Sequence, residues 1–322
     1  MSGLSESQVI QILSEHGGAR RPDVVLGIGD DGAVLQPPEA QQLVQVVDAL
    51  FEGVHFPPGM AGEDLAWRAF GVNISDIAAM GAEPAWATLV LSMPMAEESW
   101  VRSFARGLGD CTREFNICLV GGDTVRGPLG VSVQITGFVP PGQALRRRGA
   151  AEGDGIYITG RTGLAAAGLA CMQGEIQPGN EPGEWRRRFL RPVPRLRQGR
   201  DLRGLASACL DISDGLLRDL GRLLEASEVG ATVLLQEIPG LDELSAMLGE
   251  QRALSLSLTG GDDYELCFTV PREREALLAE RARKWSCECT RIGEISGTEG
   301  IRLMKDDREV PLPPAGFEHF QA

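Results

Sequence analysis

Short apolar segments alternate with segments of helical spacing along most of the chain, and several of the apolar segments end at aspartate or glycine. Residues 43–47, 86–93 and 131–139 are typical of strands, because apolar and β-branched residues follow one another over a few positions. Between them, residues 63–82 and 96–115 carry apolar residues at helical spacing. Strands and helices that alternate in this way predict an α/β fold.

The alternation begins again after residues 139–155, which contain prolines, glycines and three consecutive arginines. Such a composition is typical of a domain junction. We therefore predict two α/β domains, residues 1–145 and residues 146–322. In the second half we expect strands at 155–160, within 206–215, at 231–235 and at 264–270, and helices near 163–173, near 184–206 and up to about 228.

The charge and composition of the chain argue against several classes of function. Its 322 residues carry a net charge of −14, which disfavours nucleic acid or an anionic membrane as a general partner. No apolar run reaches the roughly 18 residues that a membrane helix needs. The first residues lack a secretory signal and predict a short amphipathic helix with Val9, Ile10 and Leu13 on one face. Seven scattered cysteines without zinc-binding spacing indicate free thiols and a cytoplasmic protein.

Aspartate occurs at six places beside apolar strands, in glycine turns or near helix starts. One such aspartate is usually a turn residue or an N-cap, but the repetition favours a shared site. Two carboxylates about 4 Å apart repel by roughly 4 kcal/mol at an effective dielectric near 20, so a cluster requires cations. Oxygen donors favour Mg²⁺ or Mn²⁺, whereas the three histidines have no paired spacing for a transition metal. The six places are Asp30/Asp31, Asp48, Asp76, Asp123, Asp211/Asp214 and Asp262/Asp263.

The sequence contains none of the common phosphate-binding motifs. There is no P-loop pattern, and the chain has only two lysines, so arginine and metal must supply the positive charge. Residues 146–148, all arginine, are a candidate for this role or alternatively a solvated linker run. The arginine-rich residues 185–200 are interpreted as a solvated surface that partly caps the core.

Six motifs in order along the chain carry a resemblance to a known family. They are "GIGDDGAVL" (27–35), "VDALFEGVHF" (47–56), "VNISDIAAMGAEPAWATLVLSMP" (72–94), "GGDTVRGPL" (121–129), "DISDGLLRDLGRLLEAS" (211–227) and "GGDDYELCFTVP" (260–271), with a weaker match in "GFEHF" (316–320). Together they resemble the thiamine-monophosphate kinase family, part of a wider superfamily that includes aminoimidazole ribonucleotide synthetase.

The resemblance implies a two-domain, aminoimidazole ribonucleotide synthetase-like α/β fold whose N-terminal sheets pair in a homodimer. It also implies ATP-dependent phosphorylation of thiamine monophosphate to thiamine diphosphate in the cytoplasm, with several Mg²⁺ ions. The implied metal ligands are Asp30, Asp31, Asp48, Asp76, Asp123, Asp211 and Asp214. The implied ATP contacts are Val47, Gly122, Asp123, Arg147 and Ser213, and the implied substrate contacts are His55, Asp262 and Phe317.

Two positions depart from the pattern of the resembled family. Val46 and Val47 stand where hydroxyl residues usually precede the aspartate, so a side-chain hydroxyl contact is lost, although backbone carbonyls can still serve. Asp262 stands where glutamate is common, which shortens the reach toward substrate. His55 and Phe317 also have a simpler interpretation as packing residues.

The implied reaction requires no general base, because a phosphate acceptor oxygen is already anionic at neutral pH. We therefore expect direct in-line transfer assisted by metal, with no catalytic side chain and no phosphoenzyme. A first alternative is another ATP-using enzyme of the same superfamily, such as an aminoimidazole ribonucleotide synthetase, which is possible on fold alone but lacks the full motif match. A selenophosphate synthetase would need an early cysteine, whereas the first here is Cys111, and a hydrogenase-maturation dehydratase would need a C-terminal cysteine. A second alternative is a non-catalytic divalent-cation binder, although no EF-hand spacing is present.

Overall fold

The structure, a computed structural model, describes residues 3–177 and 182–313. These residues form two compact units, each with its own sheet. Unit 1 comprises Met1–Ile77 and Ala82–Gly142, and unit 2 comprises Ala78–Gly81 and Gln143–Ala322. The mixed α/β fold with two domains expected from the sequence is therefore confirmed, whereas pairing of two copies stays a prediction.

Unit 1 is built on a four-stranded sheet with the strand order β3-β6-β4-β5. β4 and β5 are parallel, and the other neighbours are antiparallel. Three helices and a two-stranded ribbon of β1 and β2 complete this unit. The elements are α1 (Glu6–Glu15), β1 (Val24–Leu26), β2 (Val34–Leu35), β3 (Gln42–Phe51), α2 (Gly62–Ala79), β4 (Glu83–Met93), α3 (Glu98–Glu114), β5 (Cys118–Arg126) and β6 (Gly130–Val139).

Helix α1 begins with a capping box in which Ser5 and Gln8 satisfy each other's backbone N–H groups. The buried residues are Val9, Ile12 and Leu13, whereas Ile10 is 41% exposed. The prediction that Val9, Ile10 and Leu13 share one apolar face was therefore wrong for Ile10. Positions three and four apart share a face of a helix, but adjacent positions are about 100° apart around the axis.

Strand β3 continues three residues beyond Asp48, where the sequence pattern predicted an end. Asp48 pairs with Val133 in the interior of the ladder, and its backbone carbonyl also accepts a hydrogen bond from Ser132 Oγ at 3.2 Å. The aspartate belongs to the strand because ten consecutive residues of β6 pair with β3 and satisfy its backbone.

Unit 2 is built on a seven-stranded sheet with the order β13-β12-β9-β11-β7-β10-β8, in which only β12 and β9 run parallel. Short 3-10 turns lie at Leu235–Glu237 and Arg272–Arg274. Its strands are β7 (Gly155–Thr159), β8 (Ala208–Ile212), β9 (Gly230–Leu234), β10 (Glu265–Val270), β11 (Cys289–Ser296), β12 (Gly300–Lys305) and β13 (Arg308–Val310). Its helices are α4 (Leu164–Met172), α5 (Pro182–Leu190), α6 (Leu196–Asp201), α7 (Leu216–Ser227), α8 (Leu241–Leu248), α9 (Glu250–Thr259) and α10 (Glu275–Ala282).

Four residues from the N-terminal half of the chain, Ala78–Gly81, belong to unit 2 and contribute to its core. Ala78 and Ala79 belong to the same buried cluster as Leu202 and Leu205. The backbone supports this placement, because Met80 offers its carbonyl to the N–H of Leu145 at 3.0 Å. The Gly81 carbonyl accepts a hydrogen bond from Arg203 Nε at 2.5 Å. Unit 2 is therefore discontinuous in sequence.

Among the helices that the structure describes, none combines the length and apolar character required to cross a membrane.

Candidate active site

One face of the unit 1 sheet carries Asp123. The strand register places Asp123 of β5 beside Val90 of β4, which in turn lies beside Ser132 of β6. Asp48 and Gly122 belong to the neighbouring row of paired residues, so their side-chain positions lie on the opposite face of the sheet. The register thus separates Asp123 from Asp48, two of the predicted metal ligands.

The backbone at Gly122 requires glycine. Its φ of +151° lies in a region that other residues rarely adopt, and an added Cβ would collide with the Leu89 carbonyl oxygen of β4. The pairing of β4 and β5 shifts here, because Ala87 pairs with Leu119 but Thr88 pairs with Gly121. One additional residue in β5 forms a bulge, a device that redirects the side chains that follow it.

Three of the predicted metal ligands line one cavity of about 500 Å³ in unit 1. Asp30 and Asp31 approach from the loop after β1, and Asp123 approaches from β5 beyond the bulge. All three side chains are exposed. Among the described residues, Asp30 Oδ1 accepts the N–H of Asp31 at 2.9 Å, and Asp123 Oδ1 accepts the N–H of Thr124 at 2.8 Å. Within the described part of the chain, no other hydrogen bond or ion pair of these three carboxylates is formed.

Gly122 also lines that cavity, whereas Asp48, Asp76, Val47 and His55 are not part of its lining. Asp76 is half-buried within α2, and Val47 is exposed on β3. His55 Nδ1 accepts the backbone N–H of Phe51 at 3.0 Å, so in the neutral ring the proton lies on Nε2.

In unit 2, two loops that contain predicted site residues are joined by backbone hydrogen bonds. The N–H of Asp262 donates to the Ser213 carbonyl at 2.9 Å, and the N–H of Tyr264 donates to the Ile212 carbonyl at 2.8 Å. Asp211 lies one residue before the end of β8 and is buried. The pairing of β8 with β10 brings these loops together, so the "DISDG" and "GGDD" motifs form one structural site within unit 2.

A carboxylate that sequence reasoning did not single out holds the first of these loops. Asp219, buried in α7, accepts the N–H groups of Ser213 at 2.9 Å and Asp214 at 2.8 Å. Burial raises the pKa of Asp219, and the nearby Asp214 charge raises it further. Arg222 opposes this shift, because it donates to Asp219 at 2.7 Å and also to Asp214 at 2.6 Å.

The second loop is anchored by two further acidic residues. Asp263 accepts the N–H of Gly163 at 2.8 Å and that of Ala165 at 3.4 Å, and so caps the start of α4. Burial nevertheless raises the pKa of Asp263 well above its usual value. Glu265 is 1% exposed and receives two hydrogen bonds from Arg195, at 2.6 and 2.5 Å, and one from Thr159 Oγ1 at 2.7 Å.

Arg195 corrects the interpretation of residues 185–200 as a solvated surface. Its side chain is only 6% exposed, because the Glu265 carboxylate satisfies its guanidinium from inside the unit. Burial alone would lower the pKa of Arg195, but the Glu265 carboxylate raises it above its ordinary value. Neighbouring Arg197 is more exposed and lies 3.9 Å from Asp201, so only part of the segment is solvated.

Arg147 and Phe317 are the last two residues that were predicted to contact ligands. Arg147 is exposed, and its backbone carbonyl accepts a hydrogen bond from Ser227 Oγ at 3.1 Å. Phe317, within the "GFEHF" motif, lies outside the described residues.

The donor chemistry of the acidic loops fits magnesium. The cavity of unit 1 offers carboxylate oxygens and no cysteine or histidine, which is the donor set that Mg²⁺ prefers. Across residues 3–177 and 182–313, however, no three His, Cys, Asp or Glu side chains are arranged to hold a single ion. The arrangement therefore suits Mg²⁺ bound through one or two carboxylates, with water and phosphate oxygens as the remaining ligands. The metal role of the seven aspartates stays a prediction.

Similarity to known proteins extends over nearly the whole chain. Residues 29–139 match the family "AIR synthase related protein, N-terminal domain", and residues 151–306 match its C-terminal domain. The thiamine-monophosphate kinase of Escherichia coli K12 is 45% identical over 303 residues, which cover 93% of each chain. The chain belongs to the thiamine-monophosphate kinase family.

Solved structures of thiamine-monophosphate kinases share the fold. The crystal structure of the enzyme from Stenotrophomonas maltophilia K279a matches with a TM-score of 0.83 and 42% identity, over 92% of this chain and 94% of that one. A structure of AaThiL complexed with AMPPCP and TMP matches with a TM-score of 0.76 and 31% identity, over 91% and 92% of the two chains.

Proposed function

We propose that this protein transfers the terminal phosphate of ATP to thiamine monophosphate and so produces thiamine diphosphate. Its membership of the thiamine-monophosphate kinase family, at 45% identity to the Escherichia coli enzyme, carries the proposal. The complex of AaThiL with AMPPCP, an analogue of ATP, and TMP supports the same pair of substrates.

The acidic cavity of unit 1 supports a site for the metal-bound phosphates of ATP. Asp30, Asp31 and Asp123 would hold Mg²⁺ there, beside Gly122 in the lining of the same cavity. Asp48, Asp76, Asp211 and Asp214 are the further proposed ligands. Bound Mg²⁺ would neutralise phosphate charge and lower the repulsion between the two substrates.

The remaining proposed contacts have suitable polar groups. Arg147 presents an exposed guanidinium to a phosphate, and Ser213 lies in the loop that the buried Asp219 holds. His55, whose Nε2 carries the proton in the neutral ring, and Asp262 are the polar side chains proposed to contact thiamine monophosphate. Val47 offers only its backbone to ATP, as expected from the missing hydroxyl, and Phe317 completes the proposed substrate contacts.

Direct transfer is proposed because the acceptor oxygen is already anionic and needs no base. The cysteines with the deepest burial are unsuited to act as nucleophiles, since burial raises the pKa of Cys267 to about 12 and that of Cys111 well above its ordinary value. The protein residues therefore orient two phosphates in line rather than form a covalent intermediate.

We further propose that unit 1 forms a homodimer through its exposed sheet face in the cytoplasm. An apolar patch lies on this face, and contiguous patches of this kind mark interfaces. The seven free cysteines support a reducing compartment. The exposed apolar side chains are Leu43, Val47, Phe51, Val90 and Val125. Light scattering of the wild type and of Leu43→Glu tests the dimer, which the charged variant should dissociate.

A panel of acceptors tests the reaction itself. Purified protein is supplied with Mg-ATP and with thiamine monophosphate, thiamine or aminoimidazole-pathway ribonucleotides, and products are separated by chromatography. The expected result is thiamine diphosphate and ADP in equal amounts, only with thiamine monophosphate. Turnover with another acceptor alone would indicate a different enzyme of the superfamily, and cation binding without any transfer would indicate a non-catalytic protein.

A further inference from the structure

A row of hydrogen-bonded polar side chains crosses two strands of the unit 1 sheet and ends at the acidic cavity. Thr88 of β4 donates its hydroxyl proton to Gln134 Oε1 of β6 at 3.3 Å, and Gln134 Nε2 donates to Thr136 Oγ1 at 2.8 Å. Thr136 is only 6% exposed and therefore anchors the amide. Thr88, at the other end of the row, lines the same cavity as the three aspartates of unit 1.

The bulge in β5 places Thr88 and Asp123 on the same face of the sheet. Thr88 pairs with Gly121, and Asp123 lies two residues farther along β5. The register before the bulge would instead pair Asp123 with Leu91, whose side chain is fully buried, because a slip of one residue turns each later side chain to the other face. Thr88 and Asp123 are thus diagonal neighbours, with Cβ atoms roughly 7 Å apart.

Gly121 leaves the space beside these two side chains open. Among the described residues, and apart from its own chain neighbours, no heavy atom lies within 4 Å of a Cβ added at Gly121. The side-chain position of Gly121 lies on the same face as Thr88, because the two residues are paired. This part of the cavity is therefore flanked by a hydroxyl on one side and a carboxylate on the other.

The hydroxyl of Thr88 can act only as a hydrogen-bond acceptor toward this space. A threonine hydroxyl has one proton and two lone pairs, and the proton of Thr88 is donated to Gln134. The lone pairs attract the hydrogens of a metal-bound water and disfavour a phosphate oxygen, which is itself an acceptor. Mg²⁺ in proteins keeps several waters when it is bound through one or two carboxylates.

We propose that Thr88 is an outer-sphere ligand of Mg²⁺ in the unit 1 cavity, whose hydroxyl accepts a hydrogen bond from a water on the ion. Gln134 is then a positioning residue, because it holds the hydroxyl with its lone pairs toward that water. The inference rests on the proposed function, and in particular on the metal role of Asp30, Asp31 and Asp123.

Calorimetric titration with Mg²⁺ alone tests the role of Thr88 without turnover. Thr88→Val keeps the shape of the side chain but removes the oxygen, and Kd for Mg²⁺ should rise about tenfold, as is usual when an outer-shell partner is lost. Thr88→Ser keeps the hydroxyl and should stay within about twofold of the wild type. A wild-type Kd in Thr88→Val would overturn the proposal.

Thr290→Val is the matched control for the loss of a threonine hydroxyl. Thr290 is also a half-buried strand residue, but it belongs to β11 of unit 2 and not to the lining of the cavity. Its Kd for Mg²⁺ should equal that of the wild type. A rise as large as that in Thr88→Val would mean that the titration does not report the cavity, and would remove the support for the proposal.

A double-mutant comparison tests whether Gln134 acts through Thr88. Gln134→Met has a similar length but cannot accept the hydroxyl proton, and Kd for Mg²⁺ should rise about threefold, as for one neutral hydrogen bond. In a Thr88→Val background the same change should have no further effect. An equal rise in both backgrounds would contradict the positioning role, because Gln134 would then act on the ion independently of Thr88.

Gly121→Ala provides a second test if circular dichroism shows that Thr88→Val does not fold. The added methyl group meets no other atom, so the melting temperature without Mg²⁺ should not fall. The methyl group would occupy the space of the bound water, and Kd for Mg²⁺ should rise roughly fivefold. Gly183→Ala, at an exposed glycine of α5 with equally open surroundings, is the control. An unchanged affinity in Gly121→Ala would contradict the proposal.

The inference and the proposed function fail in different ways. If the wild type binds Mg²⁺ and makes thiamine diphosphate while Thr88→Val keeps the wild-type Kd, only the role of Thr88 is wrong. If the wild type makes no thiamine diphosphate but Thr88→Val still weakens Mg²⁺ binding, the role of Thr88 is supported and the proposed reaction is wrong. A wild type that binds no Mg²⁺ would overturn the inference together with the metal role of the cavity.

Discussion

The acidic loops of the two units use their carboxylates in opposite ways. In unit 1, Asp30 and Asp123 are exposed and, within the described chain, accept only the N–H of the next residue. In unit 2, Asp219, Asp263 and Glu265 are each bound by backbone N–H groups or by arginine. Acidic residues near the loops of the two units therefore have two roles: those of the unit 1 cavity are open to a cation, whereas Asp219, Asp263 and Glu265 fix the loops that carry the proposed ligands of unit 2.

The difference depends on which groups are nearby to satisfy the negative charge. Carboxylates without protein partners at a cavity require an external cation, and this favours a metal site. Carboxylates that accept several hydrogen bonds inside a unit stabilise its loops instead. Variants of the two groups should accordingly affect different measurements.

The largest effect is expected at Glu265 of unit 2. Glu265→Ala leaves the buried Arg195 without its partner, and the free energy of unfolding should fall by about 3–5 kcal/mol in urea titrations. The exposed pair of Lys284 and Glu280, at 4.0 Å, provides the control, and Lys284→Met should cost at most about 1 kcal/mol. An apolar replacement of both partners, Arg195→Met with Glu265→Leu, should recover most of the loss. Equal stability of Glu265→Ala and wild type would contradict a structural role.

The next effect is expected at Asp123 of unit 1, where function rather than stability should change. Asp123→Asn removes a proposed metal ligand, and kcat should fall roughly 100-fold while the melting temperature stays constant. Asp110→Asn, on the exposed face of α3 beside Arg113, should retain wild-type kcat. A stability loss without a loss of kcat in Asp123→Asn would remove the contrast between the two units.

A smaller effect is expected from magnesium in the absence of nucleotide. At ten times its Kd, Mg²⁺ should stabilise the wild type by about 1.4 kcal/mol, seen as a rise of the melting temperature. The rise should shrink in Asp30→Asn and stay complete in Asp110→Asn, as measured by calorimetry. An undiminished rise in Asp30→Asn would place the ion elsewhere.

The smallest effect is expected from a pH titration, because it follows one carboxyl group. Burial and the nearby Glu265 and Asp262 charges raise the pKa of Asp263 in the folded protein, against the N–H groups of Gly163 and Ala165. Its stabilising contribution is then complete below the unfolded-state value near 3.8 and is lost as the pH rises through the folded-state pKa. Asp263→Asn should flatten this decline of stability with pH, and an identical slope in both proteins would refute the assignment.

Local patterns in the sequence predicted the parts of the molecule that depend on local chemistry. The alternation of strands and helices followed from apolar spacing, and the two-domain organisation followed from the composition of residues 139–155. Asp30, Asp31 and Asp123 line one cavity. The wrong placement of Ile10 arose from treating neighbours as sharing a helix face.

Partners that are distant in sequence could not be predicted from such patterns. Arg195 and Glu265 are 70 positions apart, so nothing in the arginine-rich segment distinguishes the buried arginine from its solvated neighbours. Similarly, the end of β3 depends on pairing with β6 about 90 residues later, which overrides the local signal of Asp48. The role of Asp219 in holding the Ser213 loop was not predicted. Its only local signal in the sequence is weak, because an acidic residue is common in the first turn of a helix such as α7.

The discontinuity of unit 2 limits how the gene can be divided. A fragment that begins at residue 143 lacks Ala78 and Ala79 and leaves their buried neighbours facing water. In such a fragment, the N–H of Leu145 and the guanidinium of Arg203 lose the hydrogen bonds that they donate to the carbonyls of Met80 and Gly81. Expression of the C-terminal half alone, or its exchange between relatives, will therefore require these four residues to be supplied on a grafted segment.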